Sequence, residues 1–240
     1  NGLTSLEMLH DVLSKLDNTE IFVSTESDLI SMFARSIGIN VLRRPLELSK
    51  DIATIDDVVK SLLDNPIINQ YDNFWLIQAT CPLISFESLK LIKQELENNT
   101  NVDTVFSAKN VKEFIWDNTE GDQKRLYKSR QNRQNHTNPY IAESGAVTIS
   151  RISPLMKSRN RFLNMKCKGV ILSDSENIDI DTYNDINSVN MYLKKQEGQI
   201  IFITKGNINI GSGHIYRTIT LASSTYPYKP VIFCKETNLS

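Results

Sequence analysis

The chain of 240 residues predicts an α/β fold, a parallel sheet covered by helices on both faces. Two observations predict it. From Leu3 to Ser107, short apolar runs alternate with amphipathic stretches of about ten residues, the rhythm of strand–helix–strand units. After Gly198 the same rhythm restarts, which predicts the first βαβ of a second domain.

Leu3, Leu6, Leu9, Val12, Leu13 and Leu16 recur at helical spacing, with Thr4 placed to cap and Glu7 three residues on. Glu20 to Ser24 reads as a buried strand, Asp28 to Ile37 as a helix stopped by Gly38, and Ile39 to Leu42 as a second strand. Ile52 to Leu63 is helical up to Asn65-Pro66; Phe74 to Gln78 is a third strand, Phe86 to Glu97 a helix, and Val102 to Ser107 a fourth strand. Between Val111 and Ala142 the rhythm breaks, with Lys124, Arg125, Lys128, Arg130 and Arg133 set among polar residues. That excursion is too long for an ordinary connection. It is either a solvated loop or hairpin, or a lid or dimer arm carrying basic residues for an anionic substrate. Glu143 to Ser150 and Gly169 to Leu172 return to strand, and Asp185 to Lys194 is a helix. Gln199 to Thr204, Ile215 to Ser224 and Pro230 to Cys234 then form the late βαβ, and its forty or so residues cannot complete a domain.

Composition excludes several function classes. With 40% hydrophobic and 23% charged residues the chain is globular rather than disordered. A net charge of −1 supplies no bulk field toward nucleic acid or anionic lipid, so neither nucleic acid nor membrane is an expected partner. No apolar run approaches the ~18–20 residues of a membrane span. Cys81, Cys167 and Cys234 are far apart and not in metal-ligand spacing. They fit a reduced, cytoplasmic compartment, and Cys81 reads as a packed thiol.

Ligands of open α/β sheets sit beyond the carboxyl ends of the strands, so polar residues there carry most weight. Gln78 follows the third strand in Ile77-Gln-Ala-Thr-Cys-Pro-Leu83 and offers a carbonyl and an amide to one edge of a base or sugar. An ordinary strand-to-helix turn accounts for it equally well. Arg44 follows the second strand and could clamp a phosphate or carboxylate. The amides near Ala53 and Thr54, at a helix start, could receive an anion or a base carbonyl. A surface arginine and a plain helix cap are the bland alternatives. Asp179 and Asp181 flank Ile180, and on extended backbone their carboxylates share a face. Such a pair suits Mg²⁺, or is two solvated loop acids. Gly211-Ser-Gly-His-Ile-Tyr-Arg217 lets backbone approach a diphosphate with His214 at a helix start, although Tyr216 stands where a third glycine would. No Cys/His pairing, Ser/His/Asp order or phosphate-loop lysine motif occurs.

In order, Val23-Ser-Thr-Glu-Ser27, Arg44-Pro45, Leu48-Ser-Lys-Asp51 with Ala53-Thr54, Ile77 to Pro82, Arg133-Gln134-Asn135, Glu143-Ser-Gly-Ala146 and Ile178 to Asp181 resemble the CMP-N-acylneuraminate synthetases over residues 1 to about 195. The resemblance implies a Rossmann-like nucleotide-diphospho-sugar transferase sheet, a homodimer through the 111–142 excursion, and transfer of cytidylate from CTP to an acidic nine-carbon 2-keto sugar. It implies Mg²⁺ on Asp179 and Asp181. Arg44, Ala53, Thr54, Gln78 and Glu143 would bind substrate, and Arg133 would face the acid sugar or the transferred phosphate. An eight-carbon keto-acid sugar, or a binding remnant without activity, are the alternatives.

Residues 198–240, with Gly211 to Ala222, resemble the opening of the nucleotide-sugar hydrolases of pseudaminic and legionaminic acid pathways, with His214 as the catalytic candidate. The family's first strand and basic Gly-Ser-Lys loop are absent from the sequence, and Ile55 stands where a serine is common. The resemblance therefore implies that about 25–35 residues precede Asn1 in a longer parent, and that these 240 residues alone transfer cytidylate poorly.

Overall fold

The computed structural model describes residues 3–119, 121, 123–127, 129–130, 132, 140–196, 200–205, 213–223 and 230–235. They fall into two compact units, Gly2–Ile180 and Asp181–Ser240.

In the first unit, α1 (Ser5–Leu13) starts at Thr4, whose hydroxyl accepts the Glu7 N–H while the Glu7 carboxylate takes the Thr4 N–H. β1 (Phe22–Thr25), α2 (Asp28–Ser36) and β2 (Asn40–Arg43) form a βαβ whose strands pair in parallel from Phe22–Asn40 to Thr25–Arg43. The turn after α2 needs a positive φ, and Gly38 supplies it at +83°. α3 (Ile55–Leu63) opens on a second capping box, Thr54 with Asp57. β3 (Asn73–Ile77) and α4 (Phe86–Asn98) follow, then β4 (Thr104–Asn110) and a small antiparallel hairpin of β5 (Trp116–Asp117) and β6 (Lys124–Arg125). β7 (Ile141–Arg151), α5 (Ile152–Ser158) and β8 (Cys167–Ile171) complete the unit.

β3, β7, β4 and β8 lie in that order in one sheet. Here the structure corrects the all-parallel expectation: β4 and β8 are parallel, but β7 is antiparallel to both β3 and β4. A parallel return needs a crossover element. The described part of the excursion between β4 and β7 holds only the β5–β6 hairpin, so β7 comes back alongside β4 in the opposite sense. Among the described residues, β1 pairs with β2 alone and β3 with β7 alone.

Helices cover both faces of this sheet, as the sequence predicts. Trp75 and Ile77 of β3 pack into a core with Leu9 of α1, Leu89, Ile92 and Leu96 of α4, and Val105, Val147 and Ile149. Phe74 and Leu76 face the other way, into a core with Val59 and Leu63 of α3 and Ile152 and Leu155 of α5. A strand buried on two faces reads as a continuous apolar run, and Phe-Trp-Leu-Ile is one. Helix α5, with Pro154 in its first turn, is absent from the sequence expectation.

The second unit holds α6 (Tyr183–Gln196), β9 (Ile200–Lys205), α7 (Gly213–Ser223) and β10 (Pro230–Lys235), with β9 and β10 paired in parallel. These are the helix and the late βαβ expected from the sequence. No helix among the described residues is long and apolar enough to cross a membrane.

Candidate active site

The chemistry-bearing residues of the first unit stand just beyond strand ends: Arg44 after β2, Gln78 after β3. Arg44 leaves β2 with its N–H on the Thr25 carbonyl at 3.1 Å, which ties it to the end of β1. Its Nε and Nη2 both donate to Glu26 Oε2, at 3.3 and 2.7 Å. That guanidinium holds the Glu26 carboxyl down at about 2. Arg44 is thus pre-aimed by Glu26 rather than left as a loose surface cation. The next stretch departs from expectation. The Ala53 N–H donates to Lys50 O at 2.9 Å and the Thr54 N–H to Asp57 Oδ2 at 3.1 Å. Both amides proposed as anion donors are therefore committed, Ala53 to a backbone carbonyl and Thr54 to the capping carboxylate, which fills the role of the anion.

At the end of β3, the Gln78 N–H donates to Ala146 O at 3.0 Å and its carbonyl accepts from the Cys81 N–H at 3.1 Å. The backbone is fixed on both sides, and the half-buried carboxamide has no hydrogen-bond partner among the described residues. Ala146 belongs to a wide bulge. The β4–β7 register runs from Thr104–Ser150 to Phe106–Thr148, then jumps to Ala108–Glu143. Ser107 alone thereby faces Ser144, Gly145, Ala146 and Val147. Gly145 turns the bulge at φ +76°, and a Cβ there would meet nothing within 4 Å, so backbone conformation rather than space demands the glycine. Ser107, fully buried, anchors the loop: its hydroxyl oxygen accepts from the Val147 N–H at 2.9 Å and from the Ser144 hydroxyl at 2.8 Å. Glu143 lies at the edge of the bulge opposite Ala108, and its side chain is exposed.

The segment after β8 is pinned onto this edge at two points. Glu176, 8% exposed, accepts from the Ser85 N–H and hydroxyl through Oε1 and from the Ser173 N–H and hydroxyl through Oε2. Burial pushes its carboxyl up, but the hydroxyls of Ser85, Ser88 and Ser173 and the Ser85 N–H outweigh that and hold it below the ordinary range. Farther on, the Ile180 N–H donates to Thr80 O at 2.9 Å, next to Gln78 in sequence. Between these pins lies Asp179, whose Oδ1 is buried with no hydrogen-bond partner among the described residues. A buried carboxylate oxygen with no donor is costly unless a cation meets it, so this residue fits the Mg²⁺ expectation. Asp181 opens the second unit; it is exposed, and its N–H donates to Asp185 Oδ2 at 3.3 Å. No cluster of three His, Cys, Asp or Glu side chains that could hold a metal occurs among the described residues.

Arg133 lies outside the described residues, as do Gly211 and Ser212. His214 occupies the first turn of α7 and is exposed. With Thr204, Arg217 and Thr218 it lines a cleft of about 460 Å³ within the second unit. In the excursion, Tyr127 lies against Phe114 (ring centroids 4.9 Å) and Trp116 (5.7 Å), and Arg130 sits 5.4 Å over the Phe114 ring.

Sequence reasoning missed Glu26, Ser107 and Glu176 as organisers of the site. Ser107 had one signal, a lone hydroxyl inside the apolar run Val105-Phe-Ser-Ala108. Glu176 had none, because Ser-Asp-Ser-Glu-Asn reads as any solvated turn.

A family profile described as cytidylyltransferase matches residues 2–202. Among curated proteins, the chain is 29% identical over 174 residues to an N-acylneuraminate cytidylyltransferase of Streptococcus agalactiae serotype V, covering 70% of this chain and 41% of that one. A protein of the same name from serotype III is 28% identical over the same shares. The chain thus spans about two fifths of the length of the curated relatives it matches. Among solved structures, it is similar to the 2-C-methyl-D-erythritol 4-phosphate cytidylyltransferase of Francisella tularensis, with TM-score 0.58 and 17% identity over 79% of this chain and 88% of that one. It is also similar to a CMP:2-keto-3-deoxy-manno-octonic acid synthetase complexed with CTP, with TM-score 0.55 and 11% identity over 80% and 88%. At such identities the likeness is one of fold, and that fold is the α/β sheet built above. With the profile spanning most of its length, the chain belongs to the cytidylyltransferase family.

Proposed function

We propose that the chain activates an acidic nine-carbon 2-keto sugar of the sialic type with CTP, giving the CMP-sugar and pyrophosphate. The observation that carries this reading is the strand-end edge itself. Gln78 is locked by backbone bonds to Ala146 and Cys81 with its carboxamide unpaired among the described residues; Ile180 is tied to Thr80, and the preceding Asp179 keeps a buried oxygen with no partner among the described residues. The identity to N-acylneuraminate cytidylyltransferases supports the sialic type over the eight-carbon sugar.

In this reading the Gln78 carboxamide reads one edge of the nucleotide or sugar, offering both a donor and an acceptor. Arg44, steadied by Glu26, presents the rest of its fork to a phosphate or carboxylate. Ala53 and Thr54 contribute through the shape of the α3 start, since their amides are taken. The exposed Glu143 accepts from a sugar hydroxyl, and Arg133 meets the acid sugar or transferred phosphate, a role resting on resemblance alone. Asp179 and Asp181 would hold Mg²⁺, which would offset charge on the phosphates; the anomeric hydroxyl attacks the α-phosphorus and pyrophosphate leaves. The excursion hairpin, whose Trp116 is 52% exposed, forms a homodimer arm. Residues 198–240 belong to a nucleotide-sugar hydrolase-like domain with His214 in its site, and the protein works in the cytoplasm.

Calorimetry with CTP, with and without Mg²⁺, and a pyrophosphate-release assay with nine- and eight-carbon keto-acid sugars test this. Mg²⁺-dependent CTP binding lost in Q78A, with pyrophosphate release driven by the nine-carbon sugar, is expected. Because the sequence holds no Gly-Ser-Lys loop, the 240 residues alone should turn over poorly. Absence of CTP binding would reject the transferase reading, and binding without any turnover would favour a remnant.

A further inference from the structure

The segment Ser173–Ile180 contains a second orphan oxygen. The Asn177 carboxamide donates through Nδ2 to Leu172 O at 3.2 Å and to Ser173 O at 3.0 Å. Those two acceptors fix its orientation, because a flipped amide would set its oxygen against two carbonyls. Oδ1 is therefore obliged to point away from them, and it is buried with no hydrogen-bond partner. Two residues on, Asp179 Oδ1 stands in the same condition. Both residues lie in the first compact unit. They sit between the same two pins, Glu176 on Ser85 and Ser173, and Ile180 on Thr80.

Buried polar groups are nearly always satisfied, and leaving one acceptor unpaired costs about 1–3 kcal/mol. Two such acceptors within three residues, one of them on a carboxylate, are the kind of oxygens a cation takes. A hard divalent cation takes carboxylate and amide-carbonyl oxygens alike and completes its shell with water and phosphate. Resting on the metal reading above, we infer that Asn177 is a protein ligand to the divalent cation at Asp179, its carbonyl oxygen set in place by the two bonds of its own amide. Glu176 is a positioning residue for this pair. Its four accepted hydrogen bonds hold the turn to the α4 start, and it offers the ion nothing itself.

Mn²⁺ binding to the purified 240-residue chain, followed by electron paramagnetic resonance without nucleotide, tests this apart from activity. D179N should abolish tight binding, and N177A should weaken it by about tenfold or more. In the D179N background N177A should add nothing, since two ligands of one ion couple while a merely structural lesion is additive. The rise in melting temperature on adding Mn²⁺ to EDTA-stripped protein should shrink in step. If N177A itself lowers the EDTA melting point, N177S, which keeps a hydroxyl donor toward Ser173 O, carries the same test. Wild-type affinity in both Asn177 variants, or full additivity with D179N, overturns the inference while leaving Asp179 intact. Absence of Mn²⁺ binding in the wild type would overturn the metal reading itself, and this inference with it.

Discussion

Replacing Ser107 by alanine isolates the bond that shapes the bulge. Ser107 Oγ accepts two hydrogens, and their fates differ once it is gone. The Val147 N–H sits on a residue 1% exposed, so it is left desolvated and unpaired, at about 1–3 kcal/mol. The Ser144 hydroxyl is only half-buried and can turn to water, so its loss contributes about 0.5 kcal/mol at most. S107A should therefore cost about 1–3 kcal/mol in urea unfolding, and S144A should lie within about 0.5 kcal/mol of wild type. Exchange of the Val147 amide should quicken about tenfold for each 1.4 kcal/mol lost locally. Gln78 should follow, because its N–H hangs on Ala146 of the same bulge. A cost for S144A equal to that of S107A, or a change under about 0.5 kcal/mol in S107A, would refute the assignment of Ser107 as the anchor.

Two further outcomes follow from charge. Arg161, 6% exposed, donates through Nε to Asp56 Oδ1 and through Nη1 to Thr148 Oγ1, both at 3.0 Å, with its guanidinium 5.1 Å from the Phe162 ring centroid. D56A strands that cation and should cost about 3 kcal/mol, whereas R161M, which leaves the better-solvated partner behind, should cost less; the reverse order in denaturant titrations would contradict the burial argument. Glu26 is held at about 2 against an ordinary 4.5, so the unfolded chain binds its proton first and stability falls as pH drops from about 4.5 toward 2. E26Q should flatten the melting-temperature slope in that window, and an unchanged slope would show that the Arg44 pair adds nothing to acid stability.

Helices α1 to α4 were legible because their starts are local chemistry, whereas α5, which starts without a side-chain cap, was not. Thr4, Ser27, Thr54 and Ser85 each cap a helix with their own hydroxyl, and a cap needs only the next three residues. The apolar run of β3 announced burial on two faces for the same reason. Strand direction was not legible: whether β7 runs with or against β4 depends on the path of the excursion, not on any residue of either strand. The Arg161–Asp56 pair joins positions 105 apart, and no period or spacing links them. At the site, residue types were legible and their constraints were not. Ala53 and Thr54 look like free donors until the Lys50 carbonyl and the Asp57 carboxylate are seen to take their N–H groups.

Glu176 and Asp179 show why an acid's role cannot be read from its neighbours in sequence. They stand three positions apart in one polar turn, and both are carboxylates at least partly withdrawn from water. Four donors converge on Glu176 from two elements, so its charge is spent inside the protein and the group is a strut. Asp179 Oδ1 meets none. One buried oxygen of Asp179 is left open among the described residues, and a hard cation is the partner that suits it. The asymmetry separates the acid that holds the turn from the acid that the turn holds ready for a cation.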